Sequence, residues 1–169
     1  MAGIYGIDPI LNYTFTEPEN NAILRGNVRL TTPPPGSLMD YLDKYHPKFA
    51  YIVKKGEFAQ IFSDTQFRGT LFLPKEESLD ENVVMNMDIN TCRTVIRYHV
   101  MDGFYPKEVL MTSPFQQLQP RLQGQTIVAS IHWVPFLNME TIVLNNCSPI
   151  EQFDIKCSNA YVHIISQSM

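Results

Sequence analysis

The order of the apolar patterns predicts an α+β domain. Residues 37–110 carry apolar side chains mostly at helical spacing, with one short β-rich run. From Phe115 onward the side chains alternate as they do in strands. The proline run Pro33-Pro34-Pro35-Gly36 is a stiff spacer that sets this part off from an apolar N-terminal stretch. At 169 residues the chain suits one domain with a sizeable core.

Residues 1–36 are read as an extended arm and residues 37–169 as the domain. The arm holds Tyr5, Ile7 and Phe15, too apolar to be left in water, so it packs either on its own domain or, with these residues as candidate partner contacts, on a neighbouring chain; its turns fall at Asp8-Pro9 and Glu17-Pro18. A short hairpin is expected around Gly26-Asn27. Ser37 is an N-cap with Asp40 three residues on, close to a capping box, and Leu38, Tyr41, Leu42 and Tyr45 follow as a buried face. Pro47 breaks or restarts that helix, and Gly56 is a suitable C-terminal stop. Phe58, Ile61 and Phe62 fit another short helix, and Thr70–Leu73 is a strand that Pro74 ends.

Residues 75–88 read as short helices. Asn90 is then placed to cap a helix with Ile89, Cys92, Val95, Ile96 and His99 on one face. Gly103 turns the chain, and Pro106–Leu110 fits a helical turn with Pro at its first position. Residues 118–122 and 126–131 flank Gln123-Gly124-Gln125 as an expected hairpin. Residues 141–144 and 160–165 are further strands. Trp133 and Phe136, in the run Trp133–Met139, belong either to an exposed partner surface or to a face covered by the arm.

Several of these segments occur in a recognisable order. They are Thr70-Leu71-Phe72-Leu73-Pro74, then Tyr98-His99-Val100 with Gly103 after it, then Leu122–Ile127. Phe153-Asp154-Ile155 with Ser158-Asn159 and Val162-His163-Ile164-Ile165 closes the series. The series resembles a fasciclin domain over residues 37–169. The resemblance implies a β-sandwich or wedge with helices packed on one side. It also implies binding and adhesion, with no catalysis. Tyr98-His99 matches a Tyr-His motif linked in some members to cell adhesion, with packing as its first role. Asp154-Ile155 matches the Asp-Ile of a loop implicated in integrin binding by animal members. Phe153 stands where adhesive members favour Pro, and Asn159-Ala160 where the family usually has Asn-Gly, so a type I′ turn is not expected there.

Composition narrows the remaining choices. The net charge is −4 and the only adjacent basic pair is Lys54-Lys55, which argues against direct nucleic-acid binding. No stretch approaches the ~20 apolar residues of a membrane span. The four histidines are scattered, without His-Glu-x-x-His or Cys-x-x-Cys, so no metal or other cofactor is expected. There is no Gly-x-Ser-x-Gly elbow and no glycine-rich phosphate loop, and an enzyme is not expected. His99 and His163 read as core histidines. The opening residues lack the charged and apolar regions of a secretory signal, so the chain is read as cytoplasmic or within a virion. Three free thiols, Cys92, Cys147 and Cys157, fit that compartment. Asn12-Tyr13-Thr14 and Asn146-Cys147-Ser148 are then chance glycosylation patterns.

The expectation is a non-catalytic structural component of a larger protein assembly, such as a minor capsid or cementing protein of a large DNA virus. Other protein subunits are its expected partners. Nucleic acid, small-molecule substrates and a membrane span are not expected. Two alternatives stay open: a secreted or cell-surface adhesion module, and a small-ligand-binding or enzymatic domain.

Overall fold

The computed structural model describes residues 32–169. Residues 34–169 form one compact unit. The expected hairpin near Gly26, Asn12, and the candidate contacts Tyr5, Ile7 and Phe15 lie outside the described residues.

Helices come first. Helix α1 (Leu38–Tyr45) starts at Ser37, whose Oγ accepts the Asp40 N–H at 3.2 Å. Asp40 reaches back to the Gly36 N–H at 2.9 Å, one residue beyond the one a capping box uses. Pro47 opens α2 (Pro47–Lys55), where its missing N–H costs nothing. The expected stop at Gly56 holds, but for another reason than chain reversal. Gly56 has φ −80, and the left-handed residue is Glu57 at φ 64. A Cβ on Gly56 would lie 2.7 Å from Ile96 Cδ1 and 3.2 Å from the Ile52 carbonyl, so glycine is needed for close helix packing. Then come α3 (Ala59–Ser63), the strand β1 (Gly69–Pro74), a 3-10 turn at Glu76–Ser78 and α4 (Glu81–Asn86).

Helix α5 (Ile89–His99) is capped by Asp88, whose carboxylate accepts the Thr91 N–H at 2.7 Å, and not by Asn90. Cys92, Ile96 and His99 form its buried face, while Ile89 is exposed. The strand β2 (Val100–Asp102) follows, and then α6 (Lys107–Leu110), with Pro106 at the cap instead of the first helical position.

Strands dominate the rest: β3 (Phe115–Leu118), β4 (Ile127–Val134), β5 (Met139–Leu144), β6 (Ser148–Lys156) and β7 (Ala160–Ile165). The expected tight hairpin at Gly124 is replaced by a longer connection, with Leu118 paired to Ile127. Its physical cause is visible in the backbone. The Arg121 and Leu122 N–H groups leave the sheet and bond the Val100 and Arg97 carbonyls at 2.9 and 3.0 Å. A true type I′ turn occurs between β5 and β6 instead. Asn145 and Asn146 have φ 53 and 60, and the Cys147 N–H bonds the Leu144 carbonyl at 3.1 Å.

The seven strands form one sheet in the order β2-β1-β7-β6-β5-β4-β3, in which only β1 and β7 run parallel. All six residues of β1 are buried, as a strand covered on both faces requires. Leu71 and Leu73 point into a core shared with the helices, and Phe72 points the other way. Strand β6 bonds β5 at its start and β7 along its later residues, and the sheet curls there. Curling brings Phe72, Met101, Leu118, Ile127, Ile142 and Ile165 into a second core. The result is a wedge closed inside by one core and backed by helices over the other. Burying each such side chain contributes about 1.5–3 kcal/mol.

Candidate functional site

The residues singled out by sequence fall into two groups with opposite surroundings. His99 ends α5 and is buried. Its Nδ1–H donates to the Val95 carbonyl at 2.7 Å. Its Nε2 accepts the Met169 backbone N–H at 3.1 Å and faces the Ser168 hydroxyl at 3.3 Å. Both ring nitrogens are therefore used, and the ring must be neutral to accept. Burial pushes its pKa down to about 4. The neighbouring Tyr98 hydroxyl accepts from Asn145 Nδ2 at 2.6 Å, while Asn145 Oδ1 accepts the Val128 N–H at 2.8 Å. The pair thus fixes α5 to the end of the chain and to the turn after β5.

Asp154 lies in β6 at a break in register, with φ 61. It forms a bulge, and Asp is among the few residues that take a left-handed conformation readily. Its carboxylate accepts the Lys107 N–H at 2.8 Å, at the start of α6. Its own N–H donates to His163 Nδ1 at 3.1 Å, and His163 Nε2–H donates to the Tyr105 carbonyl at 2.8 Å. Phe72 stacks on the buried His163 ring at 5.9 Å. Burial lowers the His163 pKa, so this ring too is held neutral. Ile155 is half-buried against the helical core. Asp154 and Ile155 therefore join β6, β7 and α6.

Asn159 is the residue that sequence reasoning undervalued. Read as part of a turn, it is fully buried and does not have positive φ. Its Oδ1 accepts the Leu38 N–H at 2.8 Å, and its Nδ2 donates to the Phe62 and Asp64 carbonyls at 3.0 and 2.9 Å. One side chain thus ties the start of α1 to the end of α3. The Asn-Gly expectation of the family hid this, because turn statistics describe backbone, not the reach of a side chain. Thr70 acts similarly: its hydroxyl donates to the Gly103 carbonyl and accepts the Tyr105 N–H, both at 2.9 Å.

The second group is exposed. Trp133 ends β4 at 59% exposure, and Phe136, in the 3-10 turn Pro135–Leu137, is at 71%. A shallow cavity of about 340 Å³ beside them is lined also by His132, Val134 and Val143. Phe115, on the edge strand β3, is exposed as well. Their exposure makes Trp133 and Phe136 candidates for a contact surface.

Among the described residues, no three His, Cys, Asp or Glu side chains are grouped to hold a metal ion. Among the same residues, no helix is long and apolar enough to cross a membrane. The three thiols are free. Cys92 and Cys157 are buried, and burial pushes the Cys157 thiol up to about 11, which leaves it unreactive.

A family profile describing the fasciclin domain matches residues 44–169. A solved structure of a FAS1 domain pair from the insect cell adhesion molecule fasciclin I is similar in fold, with a TM-score of 0.63 at 15% identity. The match covers 80% of this chain and 51% of that one, so this chain spans about half the length of the structure it resembles. No curated protein matches the chain.

Proposed function

The chain belongs to the fasciclin domain family, whose members are generally adhesion and protein–protein interaction modules, and on that premise we propose that it is a non-catalytic structural component of a protein assembly. The observation that carries the reading is the exposed pair Trp133 and Phe136. Their rings gain burial only against another molecule or another part of the chain. In its finer form the reading makes the chain a minor capsid or cementing protein of a large DNA virus, located in the cytoplasm or within the virion. Mass spectrometry of purified particles tests that form.

The general reading is tested by assembly from the full chain in its native cells. A W133S/F136S double variant and a chain lacking residues 1–34 are each followed by co-sedimentation with the particle or complex. Loss of incorporation in the double variant, with the domain still folded, is expected. Normal incorporation of both variants would sink the reading. If only the truncated chain fails, docking lies in the N-terminal residues instead.

A cell-surface adhesion module is the second reading. The solved relative is a cell adhesion molecule, and Asn146 is exposed at a turn within Asn146-Cys147-Ser148, an acceptor pattern for N-glycans. A glycan on Asn146 of the native protein would decide for it.

A further inference from the structure

A cleft of about 370 Å³ opens where the end of α1 meets residues of β6, β7 and the start of the Glu76–Ser78 turn. Its lining includes the rings of Tyr41, Tyr45 and His46, the acidic residues Glu76, Glu77 and Glu151, and one cation, Lys75. Its volume falls in the ~300–1,000 Å³ range of small-ligand sites, too small for a folded partner but enough for one long side chain.

The charges in the cleft are unevenly compensated. Lys75 pairs with Glu151 at 3.1 Å, and the Ser166 hydroxyl also donates to Glu151. Glu76 accepts only a long contact, 3.4 Å, from the Lys48 backbone N–H, while the Lys48 ammonium is turned to the Glu76 and Leu79 carbonyls at 3.3 and 2.7 Å. Among the described residues, no cation pairs with the carboxylate of Glu76 or Glu77. Burial raises the Glu76 pKa, and the backbone N–H and charge of Lys48 offset only part of that rise.

Aromatic rings stand beside these carboxylates. Tyr41 packs on Tyr45 at 5.3 Å and on His46 at 5.2 Å, and its hydroxyl is 3.1 Å from His46 Nε2. Tyr45 is 64% exposed. Ring faces and carboxylates both attract cations. A planar guanidinium does what a compact ammonium cannot: it stacks on a ring while donating in-plane hydrogen bonds to oxygen.

We propose that this cleft receives an arginine side chain from a partner protein, stacked on Tyr45 and paired with Glu76 and Glu77. It is a second contact surface, chemically unlike the Trp133 and Phe136 surface, and it does not depend on the assembly proposed above.

The test titrates the full chain with Nα-acetyl-arginine methylamide, up to tens of millimolar, and follows the Tyr41, Tyr45 and His46 ring resonances by NMR. Saturable shifts are expected, with at least about threefold weaker binding in E77Q and in Y45A and further weakening as salt is raised. Glu77 and Tyr45 are exposed, so both variants fold, which thermal unfolding checks. Nα-acetyl-citrulline methylamide, the same shape without the charge, produces no saturable shift. Equal shifts with the citrulline probe, absence of saturation with the arginine probe, or unchanged binding in both variants overturns the proposal.

Discussion

The half of the domain around β1, β7 and the helices differs from the half around β3–β5 in how it treats side chains that are costly to place. In the first, polar groups are buried and paired: Asn159, His99, His163 and Thr70 each have their hydrogen-bonding atoms bound to protein. In the second, apolar groups are left unburied: Trp133, Phe136 and Phe115 face solvent. An unpaired buried polar atom costs stability directly, so the first half is over-determined by the fold. An exposed ring costs the folded state little, because it is equally wet in the unfolded chain. The lesson is that family motifs in this chain mark where the fold is fastened, and the exposed aromatic surface of Trp133 and Phe136 lies apart from them.

Breaking the strongest fastening should give the largest effect. Replacing Asn159 by Leu keeps the branching at Cγ but adds bulk and strands the Leu38 N–H and the Phe62 and Asp64 carbonyls. A loss of about 3 kcal/mol or more is expected, read as a lower midpoint with unchanged slope in urea unfolding. A loss below ~1 kcal/mol would mean that water replaces the side chain there.

His99 sharpens the comparison through pH. Its pKa is depressed from the ordinary 6.5 to about 4 in the folded state. Between those values the unfolded chain binds the extra proton and the folded chain does not. Stability is therefore fully present above about pH 6.5 and is lost as pH falls toward 4. At ~1.36 kcal/mol per pH unit the full effect is on the order of 3 kcal/mol. His163, also depressed, adds to the same slope. A H99F chain should be less stable by about 2 kcal/mol at neutral pH and show a flatter dependence between pH 6.5 and 4. An unchanged pH slope would show that His99 is not the titrating group.

Gly56 tests the contact between α2 and α5 at smaller magnitude. An alanine methyl would meet Ile96 Cδ1 at 2.7 Å, the end of a side chain that has some freedom to shift, and the Ile52 carbonyl at 3.2 Å. A cost of about 1–2 kcal/mol in thermal or urea unfolding is expected, and a neutral result would show that Ile96 moves aside.

The smallest effect belongs to the exposed half. W133S/F136S should change stability by no more than ~0.5 kcal/mol, though the same substitutions are expected to abolish incorporation into an assembly. A large stability loss would place these rings in the domain's own packing and erase the contrast.

Much of the fold was legible in the sequence for a simple reason. Periodicity records which side of an element is buried, and the helical face Cys92–Ile96–His99 and the strand Thr70–Leu73 carry strong periodic or β-rich signals. Local signals failed where a distant group competed for the backbone. The helix stops at Gly56 as expected, but the need for glycine there comes from Ile96, some forty residues away, and the expected turn at Gly124 gives way because Arg121 and Leu122 bond the end of α5 and the start of β2. The turn at Asn145-Asn146 carried a local signal, two residues that tolerate positive φ, but was read only as part of a glycosylation pattern.

The sequence by itself determined the α+β class, the order of helices before strands, the family, and part of the helical buried faces, among them Leu38, Leu42, Cys92 and Ile96, while Tyr45 and Ile89, expected on those faces, are exposed. Only the tertiary structure decided that Asn159 is a buried junction, that Asp154 caps a helix from a bulge, that Trp133 and Phe136 stay in solvent, and that Tyr45, Glu76 and Glu77 line one cleft. Periodicity is a property of neighbours along the chain. A hydrogen bond or a cleft joins residues whose separation is set by the curl of the sheet and the packing of helices on it, and no local pattern encodes that distance.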